Sequence, residues 1–140
     1  MKRVTGIGGV FFKSHQPEKI REWYRRHLGI ESDQYGGVFE WRHLEDAEKK
    51  GFTVWSPFKK DADYFRPSTK EFMINYRVDN LEKLLSVLEE EGVEVAGEIE
   101  EYEYGKFGWI MDPEGNKIEL WEPNDAVFES MQDGETNRCC

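Results

Sequence analysis

Cysteine is nearly absent from this chain of 140 residues: Cys139 and Cys140 are the only two, adjacent at its very end. Neighbouring cysteines rarely bridge each other, and a bridge there would close almost no loop. The pair reads as part of a loose tail and not as a redox or metal centre. Positive charge is also short, with 19 Lys and Arg against 29 Asp and Glu and a net charge of −10. A surface of that sign repels phosphates, which argues against nucleic acid as a partner. No apolar run reaches membrane-spanning length, and none follows Met1 to Val4 that would serve as a signal peptide. The expected partners therefore include no membrane, and the expected location is the cytoplasm. A phosphate-binding loop, a nucleophile elbow and a Cys-His pair are all missing.

Aromatic residues are plentiful, at 14% with five Trp and nine Phe. Disordered chains are poor in them, so the body of this one should fold. A chain of this length buries roughly 68% of its unfolded surface and needs neither disulfide nor metal to do so. The chain also repeats itself. Phe52-Thr-Val-Trp-Ser-Pro57 returns as Ile118-Glu-Leu-Trp-Glu-Pro123, a spacing of 66 (118 − 52). A Gly-x-Phe-x-Trp piece precedes each copy, at Gly37–Trp41 and Gly105–Trp109. Two copies this long imply two like modules that share one core.

Periodicity fills in the modules. Thr5–Phe12 reads as a strand, and Pro17 suits the first turn of a helix that carries Ile20, Trp23, Tyr24, His27 and Leu28 and closes at Gly29. Val38–Arg42 and Phe52–Pro57 read as strands, with Leu44–Gly51 a charged connection. Residues 59–69 contain Pro67 and no periodicity, and read as a linker. The order then restarts. Phe72–Val78 alternates as a strand, Asp79 caps a helix of Leu81, Leu84, Leu85 and Leu88, and Gly92 ends it. Gly105–Met111 and Lys117–Trp121 are strands around an Asp112–Gly115 turn. The expectation is a single domain over 1–125, with modules at about 5–58 and 70–123 and a flexible acidic tail over 126–140. The fold class is α+β: two βαβββ modules in tandem forming a cupped, barrel-like mixed sheet with helices outside.

The closing Asp112-Pro-Glu-Gly-Asn-Lys-Ile-Glu-Leu-Trp-Glu-Pro123 is the most specific segment. With the opening Gly8-Gly-Val-Phe-Phe12, Trp23-Tyr24 and Leu28-Gly29, it resembles the vicinal oxygen chelate superfamily. That group includes glyoxalase I, extradiol dioxygenases, fosfomycin-resistance enzymes and bleomycin-resistance proteins. The resemblance covers about residues 5–123 and speaks to fold more than to reaction. It implies a homodimer, and a divalent metal held by His, Gln or Glu on the first and last strand of each module. Through the repeat those positions fall on Ile7, Thr53, Met73 and Glu119. Ile offers no lone pair, a thioether is a soft ligand and a neutral hydroxyl a poor one, so one carboxylate stands alone. His15, His27 and His43 lie on none of the four strands. The expected cofactor is therefore none, with a divalent metal as the alternative.

Strand alternation assigns faces. Met73, Asn75, Arg77, Lys117, Glu119 and Trp121 face the cup, and by the same rule so do Ile7, Gly9, Phe11, Thr53 and Trp55. Apolar walls with a few convergent polar groups are what a small-molecule pocket needs. Glu119 is then the candidate catalytic residue, a carboxylate in an apolar cup. Phe11, Thr53, Trp55, Met73, Asn75, Arg77 and Trp121 are the candidate substrate contacts. Set against this, Glu119 would be a buried ion partner of Arg77. Three functions stay open: a metal-independent protein holding a small organic molecule, with or without turnover by Glu119; a metal-dependent lyase or dioxygenase of glyoxalase type; and a non-catalytic interaction module whose cup is filled by its own side chains.

Overall fold

The computed structural model describes residues 2–132 and 137–138. Its elements run β1 (Val4–Ser14), α1 (Pro17–Leu28), β2 (Gly37–His43), β3 (Asp46–Lys59), β4 (Phe72–Val78), α2 (Leu81–Glu90), β5 (Glu94–Val95), β6 (Glu100–Tyr102), β7 (Gly105–Met111), β8 (Lys117–Pro123), α3 (Asp125–Ser130) and β9 (Asn137–Arg138). Local chemistry sets the helix ends. Pro17 opens α1, Glu18 sits in its first turn and Arg25, Arg26 and His27 in its last, which suits the helix dipole. Gly29 then takes the left-handed conformation that ends it. In α2 the cap is Asn80, one residue beyond the expected Asp79, and its side chain accepts from the Lys83 N–H.

The strands form one mixed sheet, ordered β5-β7-β8-β4-β1-β3-β2-β9, with β6 also on β7. At its centre β1 and β4 pair antiparallel and join the two halves. Each of them is flanked by a parallel partner, β3 beside β1 and β8 beside β4. The fold class is thus the expected one, a cupped α+β sheet. The first half runs β1-α1-β2-β3, and β3 extends back through the segment read as a charged connection.

Against the convex face, Leu81, Leu84 and Leu85 of α2 pack on Val78 and Leu120, with Ile110 and Ile118 alongside. Each fully buried leucine contributes roughly 1.5–3 kcal/mol. On the concave face Phe11, Phe65, Met73 and Trp109 form a second cluster. The first part of the expected flexible tail is ordered: α3 is capped by Asn124, and Phe128 packs on Phe52 and Trp121. Cys139 and Cys140 lie outside the described residues. Among the described residues no helix is long and apolar enough to cross a membrane.

Candidate functional site

The concave face is organised around Glu119, which is only 3% exposed. Strand β8 places it directly between two partners, Asn75 on β4 and Trp109 on β7. Asn75 Nδ2 donates to Oε1 at 2.6 Å, and Trp109 Nε1 donates to Oε2 at 2.9 Å. A third donor comes from outside the sheet: Tyr64 Oη reaches Oε2 at 2.5 Å. Three hydrogens point at two oxygens, an arrangement built for an acceptor. Burial pushes the Glu119 carboxyl above its ordinary value, while the donors Tyr64, Asn75 and Trp109, and then the charge of Lys117, pull it back.

Tyr64 belongs to the irregular segment between β3 and β4. Its ring stacks on Phe58 at 5.7 Å and meets Trp109 edge-on at 6.3 Å, while Lys117 Nζ lies 5.3 Å from its centroid. Lys117 also donates to the Tyr64 carbonyl at 2.8 Å. The next residue, Phe65, is 0% exposed and anchors the segment in the concave cluster. Tyr64 itself is 38% exposed, although its hydroxyl ends on a carboxylate cut off from water. Burial, and after it the Glu119 charge, holds its phenol well above the ordinary range. Burial also lowers the Lys117 ammonium, against the opposing pull of Glu119.

Arg77 occupies the other end of the cup. Its Nη2 donates to Asp125 Oδ2 at 2.6 Å and its Nη1 to the Phe52 carbonyl at 3.3 Å. Trp41 and Trp121 flank the guanidinium at 5.1 and 5.4 Å. The α3 helix closes this end from above. Two open clefts lie elsewhere: one of about 790 Å³ beside the start of α1, and one of about 520 Å³ between α2 and residues 95–99. Neither includes Glu119.

A glyoxalase-like domain family matches residues 9–121. The chain belongs to the glyoxalase-like family. Solved structures agree on its fold. A methylmalonyl-CoA epimerase from Mycobacterium tuberculosis is 21% identical with a TM-score of 0.56, over 92% of this chain and 95% of that one. Streptomyces coelicolor methylmalonyl-CoA epimerase in complex with 2-nitronate-propionyl-CoA gives 15% and 0.61, over 86% and 99%. A structure described as an NAD-dependent benzaldehyde dehydrogenase from Legionella pneumophila gives 12% and 0.54, over 83% and 98%. Identities this low establish architecture and leave the reaction open. No curated protein matches this sequence.

Within this glyoxalase-like sheet, the expected contacts divide. Glu119 and Asn75 meet, Met73 and Phe11 line the same end, and Arg77 and Trp121 stand together at the other. Arg77 does not pair with Glu119; its partner is Asp125. Trp55 and Thr53 are corrections. Trp55 packs on Phe12 at 5.5 Å and Tyr24 at 4.9 Å, on the side of α1. Thr53 accepts from Trp41 Nε1 and donates to the Ile7 carbonyl, so its hydroxyl is fully engaged at the strand edge. Ile7 pairs with Tyr76 and is 43% exposed, away from Met73.

One cause explains Trp55 and Thr53. Gly9 pairs with Val54, as Asn75 pairs with Glu119, so the first strands repeat at 66 (75 − 9) and the last at 65 (119 − 54). A slip of one residue exchanges the two faces of a strand. Ile7 is shifted in addition by the irregularity of β1 between Ile7 and Gly9. Sequence reasoning passed over Tyr64, Phe65 and Asp125. The available signal was the pair Tyr64 and Phe65 inside an otherwise charged linker, close behind Phe58.

Proposed function

We propose that this chain binds a small organic molecule on the concave face of its sheet, with Glu119 as the group that accepts the ligand's proton or hydrogen bond, and without a divalent metal. The carrying observation is the buried carboxylate whose third donor, Tyr64, sits on a partly exposed residue of an irregular segment. Asn75 and Trp109 are fixed by the sheet, so Tyr64 is the donor a ligand can replace. The metal that the family resemblance implies does not fit these residues. Around Glu119 an amide N–H, an indole N–H and a phenol O–H all turn hydrogens toward the carboxylate; the lone-pair oxygen left over, Asn75 Oδ1, is neutral, and with Glu119 alone it makes a poor donor set for a divalent cation. Among the described residues no group of three or more His, Cys, Asp or Glu comes together. Turnover, where it occurs, uses Glu119 as general base, because a desolvated carboxylate is a stronger proton acceptor than a hydrated one.

A second reading has an observation of its own. Phe65 and Phe128 fill the cup from two sides, as they would in a non-catalytic interaction module. A thermal-shift screen of small metabolites against the full chain, with and without chelator, separates the two. Binding predicts hits that survive chelation and vanish in Glu119→Gln. Hits that need added metal, or that persist in Glu119→Gln, overturn the reading.

A further inference from the structure

We propose that Tyr64 is a built-in occupant of the Glu119 site, and that the ligand which takes its place is a neutral aromatic molecule carrying a hydroxyl or N–H donor. This rests on the reading of the concave face as a binding site, and specifies what it binds. The niche around Tyr64 has the parts of a phenol site. Glu119 accepts the hydroxyl, Phe58 stacks on the ring, Trp109 meets it edge-on, and the Lys117 ammonium lies over it. Each contact selects. A ring without a donor leaves Glu119 one partner short in a dry site, which is costly. A carboxylate at the inner end meets the Glu119 charge. A flat ring satisfies Phe58, Trp109 and Lys117 together, and an aliphatic chain satisfies none of them in the same way.

The segment is also built to let go in one place only. Phe65 is sealed into the core beside Met73, so it keeps the segment attached while Tyr64, partly exposed, turns outward. Ligand entry therefore competes with an internal side chain. An occupant that holds a site about nine-tenths of the time weakens a competitor about tenfold.

The test uses the full chain and 4-methylphenol, the tyrosine side chain as a free molecule, with toluene and 4-methylbenzoate as controls. Binding is followed by calorimetry and by the Trp109 indole N–H resonance, assigned through Trp109→Phe. The expected result is that Tyr64→Gly binds 4-methylphenol at least about tenfold more tightly than wild type does. Toluene and 4-methylbenzoate should bind Tyr64→Gly far more weakly. If toluene binds equally well, the niche is only an apolar void and the proposal falls. It falls too if wild type and Tyr64→Gly bind 4-methylphenol alike. Should Tyr64→Gly fail to fold, Tyr64→Phe serves: it keeps the ring, frees Glu119, and must still bind the phenol more tightly than wild type. The two readings fail differently. Metabolite hits that survive Glu119→Gln remove the binding site itself. Hits that are lost in Glu119→Gln but bind wild type and Tyr64→Gly equally leave the site standing and remove Tyr64 from it.

Discussion

Replacing Tyr64 by Phe deletes one oxygen and isolates the bond that ties the irregular segment to the sheet. The hydroxyl stands 2.5 Å from Glu119 Oε2. A hydrogen bond to a charged acceptor contributes about 1.5–3 kcal/mol. Oε2 keeps its Trp109 donor when the phenol oxygen is gone, so the lower end applies. The expected loss is about 1.5 kcal/mol in urea unfolding at neutral pH, or roughly a 4 °C fall in midpoint for a chain of this size. A cycle of Tyr64→Phe, Glu119→Gln and the double variant should return a coupling of about 1 kcal/mol or more. The same set predicts a pH dependence. Burial raises the folded-state value of Glu119 above its ordinary 4.5. The protonated form is therefore favoured by folding, a contribution fully present below 4.5 and lost as pH rises through the folded value. The unfolding free energy of wild type minus that of Glu119→Gln should fall across that window and flatten above it. Tyr64→Phe, which removes a donor that holds the value down, should move the window upward. Glu22, Glu91 and Asp112 are shifted downward by partners other than Glu119 and act in the opposite sense, so they cancel in the difference. A coupling below about 0.3 kcal/mol, or a difference flat in pH, would refute the reasoning.

Other predictions concern the supports of the site. Gly8→Ala would put a Cβ 2.1 Å from Asn75 Oδ1 and 3.0 Å from Arg77 Cγ. It should cost about 1–3 kcal/mol in urea unfolding and shift the Trp109 indole resonance, because Asn75 must move off Glu119. At the other end, Asp125→Asn should destabilise more than Arg77→Met in thermal unfolding. The first leaves a guanidinium that is 2% exposed without its anion, a loss of about 3–5 kcal/mol for a fully buried pair. The second strands a carboxylate that is less deeply buried, with a side chain 18% exposed. The reverse order would show that Arg77 is held by its two tryptophans and not by Asp125.

The second half of the molecule was the more legible, and the reason is regularity. Strands β4 and β8 pair without a break from Ile74–Ile118 to Arg77–Trp121, so alternation alone puts Met73, Asn75, Arg77, Glu119 and Trp121 on the concave face. Strand β1 is irregular on both sides of Ile7, and there the same rule fails. The Trp-x-Pro echo is real in sequence and misleading in space. Trp55 and Trp121 match as letters at 66, while the pairing that matches their strands is 65, so one tryptophan serves α1 and the other the cup. Periodicity reports which face a residue takes within its own element; it is silent on a segment with no period, such as residues 59–69. That segment supplies both the anchor, Phe65, and the donor, Tyr64, that complete the carboxylate site. Nothing within the linker would make a phenol settle there; only the buried acceptor on β8, the strand between β4 and β7, gives it a place. The site is thus assembled across three regions of the chain, and its least regular contributor, Tyr64, is the one that we propose a ligand displaces.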